Sequence, residues 1–225
     1  MSRRATQRAA LLDELALELE DQRVLAAMAA VPRELFVPKR LRRFAWKNAA
    51  LPIGEGQTIS QPYVVARMCE LLELRGDETV LDVGTGSGYH AAVLAQLAAR
   101  VVSIERHAAL SERAREALDA ASVENVSLVT GDGSRGYPDA APYDAINVAA
   151  GSAHGVPPAL ADQLADGGRM VLPSDGDGQR LVVVQRDGGV LRQEQHEPVR
   201  FVPLVTGGAP RRGQRSPRPR ARSSL

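Results

Sequence analysis

The sequence predicts an α/β fold organised around a mostly parallel β-sheet. Short apolar segments that suit buried strands alternate with longer segments of helical periodicity along most of the chain. A glycine-rich stretch at residues 84–88 joins one such strand directly to a helix. The last apolar segments follow one another without a helix between them, which is typical of an antiparallel hairpin at the edge of a sheet.

The periodicity gives the elements in chain order. A helical region is expected at residues 5–30, and a further helix at residues 63–74, after a loop at residues 52–57. Apolar segments then predict seven strands, at residues 79–83, 100–105, 126–130, 143–149, 168–172, 180–187 and 190–205. Helices are expected between them at residues 89–99, 110–121 and 158–164. This order predicts a doubly wound, Rossmann-like, seven-stranded sheet with antiparallel edge strands and an N-terminal helical extension.

Length and composition fit a single domain. A chain of 225 residues with 44% hydrophobic content can bury one substantial core. We expect that domain at residues 1–206, with an N-terminal part of about residues 1–75 and a ligand-binding core of about residues 76–206. Residues 207–225 carry six arginines and no acid, which leaves a charge of −5 on the rest of a chain whose net charge is +1. This arginine- and proline-rich tail is expected to be disordered.

Several classes of protein do not fit the composition. A single cysteine excludes an internal disulfide, and no apolar stretch reaches the roughly 20 residues that span a bilayer. A cytoplasmic monomer without a membrane partner is therefore expected. The basic tail could contact nucleic acid, but no aromatic residue is interleaved to stack on bases, so a solvated extension is the better interpretation. The four histidines show no metal-ligand or triad spacing, and no metal is expected.

The glycine-rich stretch predicts a pocket for a small molecule. Gly84, Gly86 and Gly88 permit a positive φ and leave the backbone open to a ligand. The stretch satisfies the loose G-x-G-x-x-A pattern of dinucleotide sites. Asp82 favours S-adenosylmethionine instead, because a carboxylate at this strand end suits the ammonium of a methionine moiety and would repel a pyrophosphate.

Two more acids follow the next two predicted strands. Glu105 stands where a carboxylate can accept hydrogen bonds from both ribose hydroxyls of a bound adenosine, and Asp132 could meet the exocyclic amine of adenine. Each acid also has a simpler interpretation, since aspartate often bonds to its own turn and glutamate at a strand end can be solvated. Three acids that end three successive strands share one edge of a parallel sheet, and this favours a common ligand.

Longer motifs resemble those of a known family. Gly84-Thr-Gly-Ser-Gly88, Gly131-Asp-Gly133 and, above all, Gly56-Gln-Thr-Ile-Ser-Gln-Pro62 resemble the protein-L-isoaspartate (D-aspartate) O-methyltransferases, which are class I methyltransferases dependent on S-adenosylmethionine. The resemblance extends over residues 31–205. It implies methyl transfer to the free carboxylate of L-isoaspartyl and D-aspartyl residues in damaged proteins, which initiates repair through a succinimide and leaves S-adenosyl-L-homocysteine.

The resemblance also implies roles for individual residues. Ser60 matches the active-site serine of the family, which helps to position the substrate carboxylate, although Ser60 would also be a good N-cap for the following helix. Substrate contacts are implied for Trp46, Tyr63 and Val202, although Trp46 could equally be an ordinary packing residue. The implied cofactor contacts are Gln57, Thr58, Ile59, Asp82, Gly84, Thr85, Gly86, Gly88, Glu105, Arg106, Asp132 and Gly133.

The chain departs from the family pattern at a few positions. Trp46, Asn48 and Tyr63 replace the usual tyrosine, aspartate and histidine, and Asn147 and Ala149 interrupt the usual end of the fourth strand. These departures bear on substrate preference more than on the reaction. One alternative is therefore an enzyme that esterifies an aspartate in a single peptide precursor. A nucleic-acid methyltransferase is a further alternative, but the fourth strand end lacks the Asn/Asp-Pro-Pro-Tyr pattern of enzymes that methylate base amines.

Overall fold

The N-terminal part of the chain is helical in the computed structural model, which describes residues 3–176 and 178–207. Helices α1 (Arg3–Leu15) and α2 (Gln22–Ala30) replace the single helical region expected at residues 5–30. The carboxylate of Asp21 caps α2 by accepting a hydrogen bond from the backbone N–H of Arg23. This cap starts a new helix after a short non-helical segment.

A small hairpin precedes the main sheet where the sequence predicts a loop. Strand β1 (Leu51–Gly54) pairs antiparallel with β2 (Gln57–Ile59), and helix α3 (Pro62–Leu71) follows. The cap residue of α3 is Gln61 and not Ser60, so the predicted capping by Ser60 is wrong by one residue. The carboxamide oxygen of Asn48 instead accepts a hydrogen bond from the Tyr63 N–H in the first turn, 3.1 Å away.

The seven-stranded sheet confirms the predicted fold class. Its spatial order is β5-β4-β3-β6-β7-β8-β9, with parallel pairing from β5 to β7 and antiparallel pairing of β7 with β8 and of β8 with β9. The strands are β3 (Thr79–Val83), β4 (Arg100–Glu105), β5 (Val126–Thr130), β6 (Tyr143–Val148), β7 (Leu164–Gly176), β8 (Gly178–Asp187) and β9 (Val190–Pro198). The chain leaves β3 toward one edge and returns as β6 on its other side, so a crevice opens at the carboxyl end of β3.

The ends of one strand and of the helices between the strands differ from the prediction. Strand β9 ends at Pro198, and residues 199–205, expected to be strand, form an extended segment. That segment forms an isolated bridge between Pro203 and Gly151, and the N–H of Val199 donates to the carbonyl of Gln179 in β8 at 2.9 Å. Helices α4 (Tyr89–Leu94) and α6 (Pro158–Ala161) are shorter than predicted, whereas α5 (Ala108–Ala120) begins two residues earlier and ends one residue earlier.

Each face of the sheet has its own hydrophobic cluster, because alternate strand residues point to opposite faces. One cluster joins Val80 and Val101 to the N-terminal helices and to α3, α4 and α5. The other joins Leu81 and Val102 to Leu160 of α6. Both faces are therefore covered, as a parallel sheet requires.

Candidate functional site

Two neighbouring cavities lie near the carboxyl end of β3. The first, here called the glycine-loop cavity, encloses about 80 Å³. The second, called the Ser60 cavity, encloses about 590 Å³. Thr58, Ala149 and Val202 line both cavities, so the two spaces adjoin.

The walls of the two cavities differ in character. The Ser60 cavity includes Ser60, Tyr63 and Phe201 together with charged Glu197 and Arg200 at its rim. The glycine-loop cavity is lined by Gln57, Thr58, Val83, Gly84, Gly86, Ile104, Glu105, Arg106, His107, Gly133, Ala149, Ala150, Val202, Pro203, Leu204 and Val205.

The glycine turn brings bare backbone to the first cavity. Gly84 and Gly86 have φ values of 93° and 54°, in the left-handed region that favours glycine. The N–H of Gly84 donates to the carbonyl of Ile104 at 2.9 Å, which fixes the turn to β4. A Cβ atom at Gly86 would lie 3.4 Å from the Ile53 side chain, beside the space that a ligand would occupy.

Glu105 is held rigidly at the end of β4. Its side chain is buried, and its two carboxylate oxygens accept the backbone N–H groups of Gly86 and His107 at 2.9 and 2.8 Å. Each carboxylate oxygen keeps a second lone pair, so the group can still accept two hydroxyl donors. This orientation fits the predicted contact with ribose hydroxyls.

Asp82 lies in a different environment from the one predicted. It is 0% exposed, and its carboxylate accepts hydrogen bonds from Ser103 Oγ and Asn147 Nδ2, both at 2.7 Å. Burial raises the pKa of Asp82 above its ordinary value, although both hydrogen bonds lower it. Asp82 lines neither cavity, and its direct contact with an ammonium group stays a prediction. The Asp82 carboxylate is linked to the glycine turn through Ser103, whose Oγ lies 2.6 Å from Thr85 Oγ1.

Three other predicted cofactor contacts are also behind the cavity wall. Thr85 is buried and bonded to Ser103, and Ile59 belongs to the hydrophobic core. A Cβ atom at Gly88 would lie 3.1 Å from the Ala114 side chain, so this glycine allows α4 to pack against α5. These residues shape the turn and do not line the glycine-loop cavity.

The extended segment of residues 202–207 covers the far end of the glycine-loop cavity. Arg106 Nη1 donates to the carbonyl of Val205 at 3.2 Å, and the N–H of Gly207 donates to Asp132 Oδ2 at 2.9 Å. The other oxygen of Asp132 caps the next turn by accepting from the N–H and hydroxyl of Ser134. The simpler interpretation of Asp132, an aspartate bonded to its own turn, is therefore the one that this structure displays.

The second cavity places Ser60 beside two titratable side chains. The Tyr63 hydroxyl lies 3.4 Å from Glu197 Oε1, which also accepts from Arg67 Nε at 2.9 Å. Burial and the neighbouring Glu197 charge raise the pKa of Tyr63, so its hydroxyl remains protonated at neutral pH. Within the described residues, Ser60 Oγ has no protein hydrogen-bond partner, which leaves it available to a ligand.

Trp46 is separate from both cavities. It is 6% exposed, its Nε1 donates to Glu34 Oε2 at 3.1 Å, and the Arg8 guanidinium lies 5.4 Å from its ring centre. These contacts fit the packing interpretation of Trp46, and the substrate contact stays a prediction.

The sequence reasoning missed several wall residues. Ala149 and Ala150 follow β6, where only a departure from a motif was noted, and Glu197 and Arg200 carry no motif of their own. Residues 201–204 lie within the stretch that resembles the family, although a contact is implied only for Val202. In residues 3–176 and 178–207, no three His, Cys, Asp or Glu side chains gather as metal ligands, and no helix is long and apolar enough to cross a membrane.

Comparisons with known proteins agree with this geometry. Residues 6–209 match the family described as Protein-L-isoaspartate(D-aspartate) O-methyltransferase (PCMT). A relative in Rhodopseudomonas palustris (strain HaA2), named Protein-L-isoaspartate O-methyltransferase 1, is 55% identical over 83% of this chain and 77% of its own length.

Solved structures show the same fold. One protein-L-isoaspartate O-methyltransferase aligns with a TM-score of 0.80 and 28% identity, over 90% of this chain and 67% of its own. The Plasmodium falciparum protein, solved in complex with S-adenosyl-L-homocysteine, aligns with a TM-score of 0.76 and 24% identity, over 88% of this chain and 98% of its own. This chain belongs to the protein-L-isoaspartate (D-aspartate) O-methyltransferase family.

Proposed function

We propose that this chain transfers a methyl group from S-adenosylmethionine to the free carboxylate of L-isoaspartyl and D-aspartyl residues in damaged proteins and peptides. The methyl ester then initiates repair through a succinimide. Membership in the family supports the activity and the cofactor. The observation that carries the proposal is the junction of the two cavities at Thr58, Ala149 and Val202, because methyl transfer requires two ligands to meet.

The glycine-loop cavity has residues that fit S-adenosylmethionine. Gly84 and Gly86 allow a ligand to approach the main chain, and Glu105 offers two acceptors that match ribose hydroxyls. Gln57, Thr58, Arg106 and Gly133 are proposed as further walls of this site. When bound, S-adenosylmethionine supplies a methyl group that a carboxylate oxygen takes, leaving S-adenosyl-L-homocysteine.

The segment of residues 202–207 is proposed to shift when the cofactor binds. The glycine-loop cavity encloses about 80 Å³, whereas pockets that hold small molecules usually enclose about 300 Å³ or more. The Gly207 N–H also donates to the carboxylate oxygen of Asp132 that adenine would use, so residue 207 lies where the adenine amine would approach. We infer that residues 202–207 move outward when the cofactor binds, and that Asp132 then exchanges the Gly207 N–H for the adenine amine.

The Ser60 cavity suits the substrate carboxylate. A carboxyl group with an ordinary pKa of about 4 is ionised at pH 7, so no general base has to activate it. The enzyme has to orient this carboxylate and remove its water, and the apolar side chains of Val64, Leu181 and Phe201 line the cavity for that purpose. We propose that Ser60 Oγ donates a hydrogen bond to the carboxylate, and that Tyr63 and Val202 contact the substrate backbone.

We further propose a cytoplasmic monomer in which residues 1–206 form one domain. The only cysteine, Cys69, is buried, and burial raises the pKa of its thiol, so it is an unreactive side chain suited to a reducing compartment. Residues 207–225 are predicted to be disordered. Only Gly207 of this tail is among the described residues, so the disorder stays a prediction.

A matched pair of peptides tests the proposed function. An isoaspartyl peptide should accept label from methyl-labelled S-adenosylmethionine, and the same peptide with a normal aspartyl residue should not. Tight binding of S-adenosyl-L-homocysteine without transfer to any isoaspartyl peptide would instead support an enzyme dedicated to one precursor. Ser60→Ala should lower kcat with little change in cofactor affinity, whereas Ser127→Ala, an exposed site on β5, should leave both unchanged.

A further inference from the structure

Arg33 is a charged side chain in the hydrophobic interior. It lies in the 3₁₀ turn Arg33–Phe36, is 0% exposed, and is among the largest fully buried side chains. Neither cavity includes it, and the reaction proposed above assigns it no role. A long cationic side chain is rarely buried completely, so this placement calls for a physical reason.

The guanidinium joins three parts of the chain that surround the site. Its Nε donates to the carbonyl of Ala45 at 2.8 Å, and its Nη2 donates to the carbonyl of Ser60 at 2.9 Å. Its central carbon lies 4.6 Å from the ring centre of Tyr89, the first residue of α4 after the glycine turn. One planar group therefore connects the N-terminal segment, the Ser60 loop and the glycine turn.

The partners of the Arg33 guanidinium do not neutralise its positive charge, because none of them is a carboxylate. Within residues 3–176 and 178–207, no carboxylate forms an ion pair with Arg33, and its Nη1 has no hydrogen-bond partner. Burial lowers the pKa of Arg33 to about 10, so the group is still protonated at neutral pH. Two carbonyl dipoles and the face of an aromatic ring offset only part of the desolvation cost.

An apolar side chain of similar volume would fill this space without that cost. Such a side chain could not reach the Ser60 carbonyl with a directed donor. The feature that distinguishes arginine here is its fixed geometry, since its N–H groups lie in one plane and point in set directions. The two directed hydrogen bonds, to the carbonyls of Ala45 and Ser60, therefore explain the choice of residue, and the bond to Ser60 is the one that reaches the site.

We propose that Arg33 is a positioning residue that holds the backbone of Ser60 against the glycine turn. The held backbone keeps the Ser60 hydroxyl in the Ser60 cavity, next to the wall shared with the glycine-loop cavity. This inference rests on the proposed function, because it concerns the residue proposed to orient the substrate carboxylate. Loss of the bond would misplace Ser60, while the glycine turn and Glu105, which lie on other elements, would keep their places and most of the cofactor affinity.

Two variants of Arg33 test this role. Arg33→Met keeps much of the volume and removes every donor, and Arg33→Lys keeps a charge and a single donor group. Leu160→Ala is the matched control, because Leu160 is equally buried but belongs to the cluster on the opposite face of the sheet. Measurements are kcat and KM with an isoaspartyl peptide, the Kd of S-adenosyl-L-homocysteine, and amide hydrogen exchange of residues 57–61, all below the melting temperature of each variant.

The expected pattern separates positioning from packing. Arg33→Met should lower kcat by about 10- to 100-fold, since a misplacement of about 1 Å can cost that much, while the Kd changes by less than about threefold. Exchange at residues 57–61 should rise, and Arg33→Lys should recover part of both effects. Leu160→Ala should lose stability while keeping its kcat and its exchange at residues 57–61.

Two results would overturn the inference. An Arg33→Met protein with the kcat of wild type, or with unchanged exchange at residues 57–61, would show that the guanidinium serves packing alone. If Arg33→Met does not fold, Arg33→Lys decides by the same two readouts. Hydrogen exchange can be measured without turnover. If the wild-type protein does not methylate isoaspartyl peptides, the proposed function is refuted, but hydrogen exchange at residues 57–61 still tests the Arg33 contact.

Discussion

Replacing Glu105 with glutamine should weaken cofactor binding through two effects. The variant removes the charge and turns one acceptor oxygen into an NH2 group. Both oxygens already accept a backbone N–H, at 2.9 Å from Gly86 and 2.8 Å from His107, so whichever oxygen is replaced will face another donor. Hydrogen bonds to a charged acceptor contribute about 1.5–3 kcal/mol, which predicts a rise in Kd of about 10- to 150-fold.

Calorimetric titration with S-adenosyl-L-homocysteine measures this effect. The control is Glu112→Gln, because the Glu112 side chain is 68% exposed on α5 and should not alter the Kd. A 2′-deoxy analogue of the ligand separates the ribose contact from the support that Glu105 gives to the turn. The analogue should bind wild type with a higher Kd than the parent ligand, and the Glu105→Gln substitution should raise the Kd of the analogue only slightly further. The same Kd for wild type and Glu105→Gln would refute the assignment of Glu105 to the ribose.

Three other consequences can be measured. Gly86→Val places a branched side chain at a φ of 54° and beside Ile53, so calorimetry should find no binding of S-adenosyl-L-homocysteine; wild-type affinity would place the cofactor elsewhere. Burial lowers the pKa of His90 to about 3, so the unfolded chain binds the extra proton below about pH 6.5, and stability should fall as pH falls. Urea unfolding at pH 7 and pH 5 should show about 2 kcal/mol more loss for wild type than for His90→Gln, and equal losses would contradict this. Saturation with S-adenosyl-L-homocysteine should change amide hydrogen exchange at residues 202–207, and an unchanged pattern there would exclude the proposed outward shift.

The fold could be predicted because its signals are local. The apolar segments of β3, β4 and β5 have the length of buried strands, and the glycine turn has a backbone requirement that few sequences satisfy. The helix ends were less predictable. Ser60 and Gln61 are neighbours that both precede a proline, and the cap of α3 depends on Asn48, which comes from another part of the chain.

The site could be predicted only in part, for a reason of geometry. Sequence spacing correctly brings Asp82 and Glu105 to the ends of adjacent strands, but it does not say how deep in the sheet each side chain lies. Asp82 pairs in register with Ser103, two residues before Glu105, and is bonded there inside the protein, while two backbone N–H groups hold Glu105 at the cavity. The position of residues 202–207 over the cavity could not be predicted for a similar reason, since the contact of Gly207 with Asp132 joins residues that are far apart in sequence.

The departures from the family pattern divide into two groups once their surroundings are known. Asn48 supplies an acceptor to the first turn of α3, and Asn147 supplies a donor to the buried carboxylate of Asp82. Trp46 is bonded to Glu34 inside the packed N-terminal region. These three residues maintain the scaffold that holds the glycine turn and the Ser60 loop.

Tyr63 and Ala149 form the other group, because both line the Ser60 cavity. Tyr63 brings a protonated hydroxyl toward Glu197, and the salt bridge from Arg67 holds that carboxylate at the cavity rim. The small side chain of Ala149 leaves room where the two cavities meet. Any difference in substrate preference between this chain and its relatives is therefore expected to originate from these two positions, since Trp46, Asn48 and Asn147 line neither cavity.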